Sequence, residues 1–160
     1  MKVLIVSDTH GIITNYRKVL QLHKPDLLIH CGDVDGQEDL ILECADCPVK
    51  MVSGNNDFFS DLPRELEFNV GPLKVWVCHG HNYYVNMSSE FIREEASARG
   101  MDVVMFGHTH RPEVRRDGGL TSVNPGSLSY PRQEGRKPSY VIMEDDRKGD
   151  WHYTIAYLDT

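Results

Sequence analysis

The sequence has no excess of positive charge, no long apolar run at its start and no low-complexity tract, and each absence removes a class of reading. Seventeen Lys and Arg stand against 24 Asp and Glu, a net charge of -7. That balance excludes broad electrostatic binding to nucleic acid and leaves room only for a local cationic site. The opening MKVLIVSDTHG reaches Ser7 and Asp8 too soon for a signal-peptide core or a membrane span. A cytoplasmic protein without membrane contact is therefore expected. No Pro-, Gly- or Ser-rich stretch divides the chain. Its 160 residues read as one domain over 1–160, long enough to bury a core without disulfide staples. Assembly into homo-oligomers is compatible with this composition.

Cysteine is scarce as well. Cys31, Cys44, Cys47 and Cys78 are scattered in a chain without a secretion signal, the pattern of free thiols in a reducing compartment. Cys44 and Cys47 spell C-x-x-C. A zinc site would need further ligands and a redox pair would open a helix, whereas this pair closes one before Pro48. All four are read as reduced structural cysteines.

What is present is a series of short β-branched runs: KVLIV (2–6), DLLIH (26–30), VKMV (49–52), LKVWVC (73–78), DVVMF (102–106) and LTSV (120–123). Each reads as a strand. Stretches with helical spacing lie between several of them, at 15–24, 36–45 and 87–100, the last closed by Gly100 as a C-cap. From 113 onward the pattern is strands and turns with little helix, which reads as antiparallel. The expectation is a two-sheet α/β sandwich with outer helices, an αββα arrangement.

Ligand-type side chains follow the strands: Asp8 and His10, then Asp33, then Asn55, then His79 and His81, then His108 and His110. In α/β folds the C-terminal strand ends share one rim, so residues distant in sequence converge there. Each residue alone has an ordinary explanation as a turn residue or a half-buried histidine. Five strand ends carrying such groups do not. His23 falls in a helix and His152 in a late strand, both away from the rim, and are read as structural. His30, at the end of its strand, is read as a packed histidine, with support of a ligand as the other option. Oxygen and imidazole donors without thiolate suit borderline divalent ions better than calcium. Manganese is the first expectation, with nickel, iron and zinc as the others.

The ordered pattern D-x-H, G-D-x, G-N-x-D, H-G-H and G-H-T-H over residues 8–110 resembles the calcineurin-type metallophosphoesterase superfamily. NPGS at 124–127, with Pro131 and Arg132 and the short length, resembles its small single-domain bacterial and archaeal phosphodiesterase branch. The resemblance implies two divalent metal ions per chain, one held by Asp8, His10 and His110 and the other by Asn55, His79 and His108, with Asp33 bridging them. It implies hydrolysis of small phosphodiesters by in-line attack of a hydroxide shared by the two ions. NPGS would form a wall of the site, with Ser127 or Arg132 touching substrate and Arg111 a second cationic candidate. Tyr83 and Tyr84 would either flank the leaving group or pack. Glycines beside the ligands, Gly11, Gly32, Gly54, Gly80 and Gly107, would serve close approach or ordinary tight turns alike.

Asn56 departs from the commonest family pattern G-N-H-[DE], in which the histidine helps protonate the leaving oxygen. An amide cannot do so. Asp33, Asn55, Asn56 and His81 are then the positions expected at the reaction itself, with His81 or water as the source of the proton and good leaving groups favoured. The rival reading is a noncatalytic protein-binding scaffold of the same fold that has lost its ligands. Here every ligand position is filled.

Overall fold

The computed structural model describes residues 1–159. The chain runs β1 (Lys2–Val6), α1 (Thr14–His23), β2 (Leu27–His30), α2 (Glu38–Cys44), β3 (Val49–Met51), β4 (Glu65–Val70), β5 (Leu73–Cys78), a 3-10 turn (His81–Tyr83), α3 (Glu90–Ala98), β6 (Val103–Met105), β7 (Pro112–Asp117), β8 (Leu120–Pro125), β9 (Ser139–Asp145) and β10 (Trp151–Tyr157). Among the described residues no helix is long and apolar enough to cross a membrane.

Two five-stranded sheets form, ordered β10-β9-β1-β2-β3 and β4-β5-β6-β8-β7. β1, β2 and β3 are parallel, and β9 joins β1 antiparallel. In the second sheet β5, β6 and β8 are parallel, with β4 and β7 antiparallel at the edges. The expectation of an antiparallel later part thus holds for β7, β9 and β10, while β8 runs parallel to β6.

The period of two along each central strand decides the layering. In β1, Val3 and Ile5 face the core between the sheets, while Leu4 and Val6 face the layer that contains Tyr16 and Val19 of α1 and Ile41 of α2. In β5, Val75 and Val77 enter the same central core, and Trp76 and Cys78 turn to α3 with Ile92 and Ala96. Both faces of these strands are covered, so they read as continuous apolar runs. The result is helices, sheet, sheet, helix, as expected.

α3 ends in a paired 5→2 and 6→1 closure: Gly100 N–H donates to Ser97 (3.1 Å) and Met101 N–H to Ala96 (3.0 Å). Gly100 sits at φ +73, which glycine adopts without a Cβ penalty. β4 escapes a reading by hydrophobic runs because its apolar residues alternate with Glu67 and Asn69; only Leu66, Phe68 and Val70 meet the central core. The four cysteines are free thiols, with Cys44 and Cys47 packed against the core under α1 and α2. His23 closes α1 with Nε2 2.8 Å from the Tyr140 hydroxyl, and His152 is exposed on β10.

Ile5 is fully buried at the centre of the inter-sheet core. Ile5→Ala is expected to cost about 3 kcal/mol through lost transfer energy and the cavity it leaves, read from the shift in urea midpoint at constant m-value.

Candidate metal centre

The loops that follow β1, β2, β3, β5 and β6 meet at one end of the sandwich. Short backbone bonds tie them: Asp8 N–H to Gly32 O (3.0 Å), His10 N–H to Asp33 O (2.9 Å) and Gly107 N–H to His79 O (3.0 Å). The turns are tight enough that Asp8, His10, Asp33, His108 and His110 all take left-handed φ between 47° and 73°. Such backbone strain, of order 1–3 kcal/mol per residue, clusters at functional sites. Two glycines are required by crowding. A Cβ on Gly54 would overlap Asp33 Oδ1 and lie 2.5 Å from the Asp33 backbone nitrogen, and one on Gly107 would overlap Ser7 Oγ and come within 2.6 Å of Asp8 Oδ2.

Three imidazoles have one nitrogen anchored outward and the other aimed inward. His79 Nδ1–H donates to the Cys31 carbonyl (2.8 Å), His110 Nδ1–H to the Tyr130 carbonyl (2.7 Å), and His10 Nδ1 faces Asp35 Oδ2 (3.0 Å). Their Nε2 atoms then converge on two carboxylates. His110 Nε2 is 3.2 Å and His79 Nε2 3.7 Å from Asp8 Oδ1; His79 Nε2 is 3.3 Å and His10 Nε2 3.6 Å from Asp33 Oδ2. His108 is turned the other way, with Nδ1 3.0 Å from Asn55 Oδ1 and Nε2 3.1 Å from the Asn86 amide. Outer partners of this kind fix ring orientation in metal sites.

All seven expected ligands therefore come together. Asp8, His10 and His110 can offer donor atoms within 4.8 Å of one another, and so can Asp8, Asp33 and His79. Asp8 Oδ1 and His79 Nε2 are buried and have no hydrogen-bond partner. Two donors each about 2.1 Å from one ion stand roughly 3.0–3.5 Å apart at octahedral to tetrahedral angles; the 3.2 and 3.3 Å separations lie within that range, and those of 3.6 and 3.7 Å lie just beyond it. The residues fit divalent ions. A further acidic group, Asp33, Asp35 and Asp57, does not, because Asp57 is spent on backbone.

Charges inside the centre are coupled. Burial would raise the Asp8 carboxyl, but the His10, His110 and His79 imidazoles close to it hold it well below the usual carboxylate range. Burial likewise opposes the shift of Asp33, which its contact with His79 brings down to about 2. Burial pulls His10 down, yet Asp8 and Asp35 carry it up to about 9. His30 is fully buried, and burial drops it to about 4. It stays neutral, accepting the Gly32 N–H at Nδ1 (3.1 Å) and donating from Nε2 to Thr9 Oγ1 (3.0 Å). It is a packed histidine that also holds the loop carrying Asp33.

Several expected roles change. Ser127 is fully buried and does not face substrate: its hydroxyl donates to the Asp8 carbonyl (2.7 Å) and accepts the N–H of Tyr130 (2.9 Å). Asn56 turns its amide onto Asp33 Oδ2 (2.9 Å), while its backbone N–H reaches Asp33 Oδ1 (2.9 Å). It orients the Asp33 carboxylate. Tyr83 packs edge-on against Trp76 and donates to Glu65 (2.6 Å). His81 stands at the margin, its ring 5.5 Å from that of His79 and 6.1 Å from that of His108. Arg111 and Arg132 are exposed beside His10 and His110.

Sequence reasoning missed Asp35 and Asn86 as outer partners, and it missed what Asp57 does. The Asp57 carboxylate accepts the N–H groups of Asp33 (2.9 Å), Val34 (3.0 Å), Asp35 (2.8 Å) and Gly54 (2.7 Å). It clamps the loop after β2 to the loop after β3. An acidic residue three places after the glycine was the available signal.

The family model for the calcineurin-like phosphoesterase superfamily domain matches residues 1–148. The chain belongs to that superfamily. Among curated relatives of this superfamily member, the probable metallophosphoesterase YsnB of Bacillus subtilis is 37% identical over 148 residues, covering 89% of this chain and 83% of its own. Phosphodiesterase MJ0936 of Methanocaldococcus jannaschii is 28% identical, covering 79% and 83%. A Streptococcus pneumoniae structure described as a predicted phosphoesterase superposes with a TM-score of 0.80 at 25% identity over 97% of each chain. Vps29 from Entamoeba histolytica shares the fold, with a TM-score of 0.78 at 22% identity, covering 99% of this chain and all of its own.

Asp57→Asn leaves one acceptor oxygen where two served four donors and sets an NH2 group against N–H groups. The change is expected to cost about 2 kcal/mol and to speed hydrogen exchange at the amides of Asp33, Val34, Asp35 and Gly54. Urea unfolding and amide exchange measure the two effects.

Proposed function

We propose that this chain is a phosphodiesterase that hydrolyses small phosphodiesters with two divalent ions, manganese first among the candidates. The observation that carries the reading is the pair of buried, partnerless donor atoms, Asp8 Oδ1 and His79 Nε2, at the focus of seven ligand-type residues. Asp8, His10 and His110 would hold one ion, Asn55, His79 and His108 the other, and Asp33, whose Oδ2 lies between His10 and His79, would serve both. When bound, such a pair supplies Lewis acidity toward phosphate oxygens and a hydroxide near neutral pH.

The chain's own residues do the rest. Asn56 and the Asp57 clamp hold Asp33 in one orientation, so its two oxygens are fixed before substrate arrives. Ser127 and Ser7 fix Asp8 in the same way, Ser7 through its hydroxyl on Oδ2 (2.6 Å). Asn56 has no proton to give, and His81, the remaining imidazole, stands only at the margin of the centre, so the leaving oxygen departs with little help from an acid. The scaffold alternative draws on the likeness to Vps29 and on the exposed Phe58 and Phe59. Retention of the whole ligand set favours the enzyme.

Protein purified without chelator is expected to carry two divalent ions per chain and to hydrolyse bis-p-nitrophenyl phosphate; a scaffold would do neither. Asp33→Asn should leave at most one ion and lower turnover at least ~100-fold, beyond the loss typical of an outer partner. Two ions with normal turnover in that variant would refute the shared carboxylate.

Across a series of aryl and alkyl diesters, rates should fall steeply as leaving-group pKa rises. Asn56→His should flatten that dependence, within the ~10²–10⁴-fold range of general acid catalysis. A flat dependence in the parent would show that another acid is already in place.

A further inference from the structure

A cleft of about 770 Å³ opens directly beside the metal centre, sharing His10 and His110 with it and walled by Arg111, Tyr130, Arg132 and Arg136. This is the size of a small-molecule site. Among the described residues, none of the three arginines makes an ion pair or a side-chain hydrogen bond, whereas Arg99 pairs with Glu65 and Glu95, and Arg115 with Glu90. In a chain with seven more acidic than basic residues, three guanidinium groups left open around one cleft mark a local reversal of charge. The one carboxylate on its wall, Asp35, is engaged by His10 Nδ1 (3.0 Å).

The roots of the arginines are fixed although their heads are free. Arg111 N–H donates to Thr109 Oγ1 (3.1 Å), Arg132 N–H to the His110 carbonyl (3.0 Å) and Arg136 N–H to the Gln133 carbonyl (3.0 Å). Two of these anchors belong to the loop that carries His108 and His110, so the guanidinium groups keep register with the centre. Tyr130 is half-exposed, its ring edge-on to His10 at 5.6 Å, and offers an aromatic wall suited to a sugar or base.

A phosphodiester carries a single negative charge, which the ions of the centre would already meet. The three open guanidinium groups remain for something else, and their planar donor forks match a second phosphate. We infer that this cleft is a second anion subsite and that the substrate is a phosphodiester one of whose arms bears a further phosphate, as in a phosphorylated nucleotide ester. The inference rests on the phosphodiesterase reading and names the substrate class of that site.

The test compares the p-nitrophenyl ester of thymidine 5′-phosphate with the same ester carrying a 3′-phosphate. The added phosphate is expected to raise kcat/KM roughly tenfold or more, the scale of one charge-assisted hydrogen bond. The advantage should shrink with added salt, and Arg136→Ala should remove most of it. Equal kcat/KM for the two esters in the parent would overturn the subsite, while hydrolysis of both would leave the phosphodiesterase reading standing. If no diester is cleaved with any divalent ion, that reading fails, and calorimetry still decides the subsite. Thymidine 3′,5′-bisphosphate binding more tightly than thymidine 5′-phosphate, with the difference lost in Arg136→Ala, supports it; equal binding overturns it.

Discussion

Asp8 is a fully buried carboxylate at the seam of the two sheets, and the functional end of the molecule is organised around it. A buried carboxylate is tolerated only when its oxygens are met, and here the partners come from loops far apart in sequence. Oδ2 accepts the Ser7 hydroxyl (2.6 Å) and the His108 N–H (3.1 Å), the Asp8 carbonyl accepts the Ser127 hydroxyl (2.7 Å), and the Asp8 N–H donates to Gly32 (3.0 Å). One residue, through its carboxylate, carbonyl and N–H together, thereby joins the ends of β1, β2 and β6 to the NPGS loop. Oδ1 alone is left open, and it points at His79 and His110.

Satisfying one oxygen and leaving the other requires the loops to come closer than ordinary turns allow. Gly107 is where this is most acute, since any side chain there would collide with Ser7 and Asp8. Left-handed φ at five ligand residues is the same demand expressed in the backbone: these residues must turn sharply at the strand end to present their donors inward. The three apolar layers on either side of the sheets hold these loops in conformations that an isolated chain would leave. Packing and backbone hydrogen bonds thus set where these donors stand, which is what a pre-organised site needs.

The strands carrying the ligands were legible because buried parallel strands announce themselves as short apolar runs, and the ligands were legible because one polar group of the right type follows each run. β4 was not, since a half-buried edge strand shares its alternation with Glu67 and Asn69. Most contacts between loops left no trace in spacing. Asp57 looks like a turn residue until its four backbone donors are seen, and Asn86 and Asp35 lie outside every motif yet orient His108 and His10. Ser127 was misjudged for the reverse reason: motif membership suggested substrate, while burial assigns it to the Asp8 carbonyl. Sequence position identifies donors well and says little about which way an amide or hydroxyl turns.

The stretch Asn55, Asn56, Asp57 shows why adjacent residues of similar chemistry need not share a role. In a loop this tight successive side chains point in different directions. Asn55 offers its carbonyl oxygen beside His108, Asn56 turns its NH2 group onto Asp33, and Asp57 reaches back to the backbone. Their order also suits the charge of the centre. A carboxylate at position 55 would add a third negative charge next to Asp8 and Asp33, and one at 56 would repel Asp33 Oδ2 across 2.9 Å. Amides at both places keep the donor count and would leave two carboxylates to face the pair of divalent ions proposed for this centre. Such a centre would retain net positive charge for an anionic ester, even though the chain as a whole is acidic. A carboxylate suits position 57 because backbone N–H groups, not the centre, are what it meets.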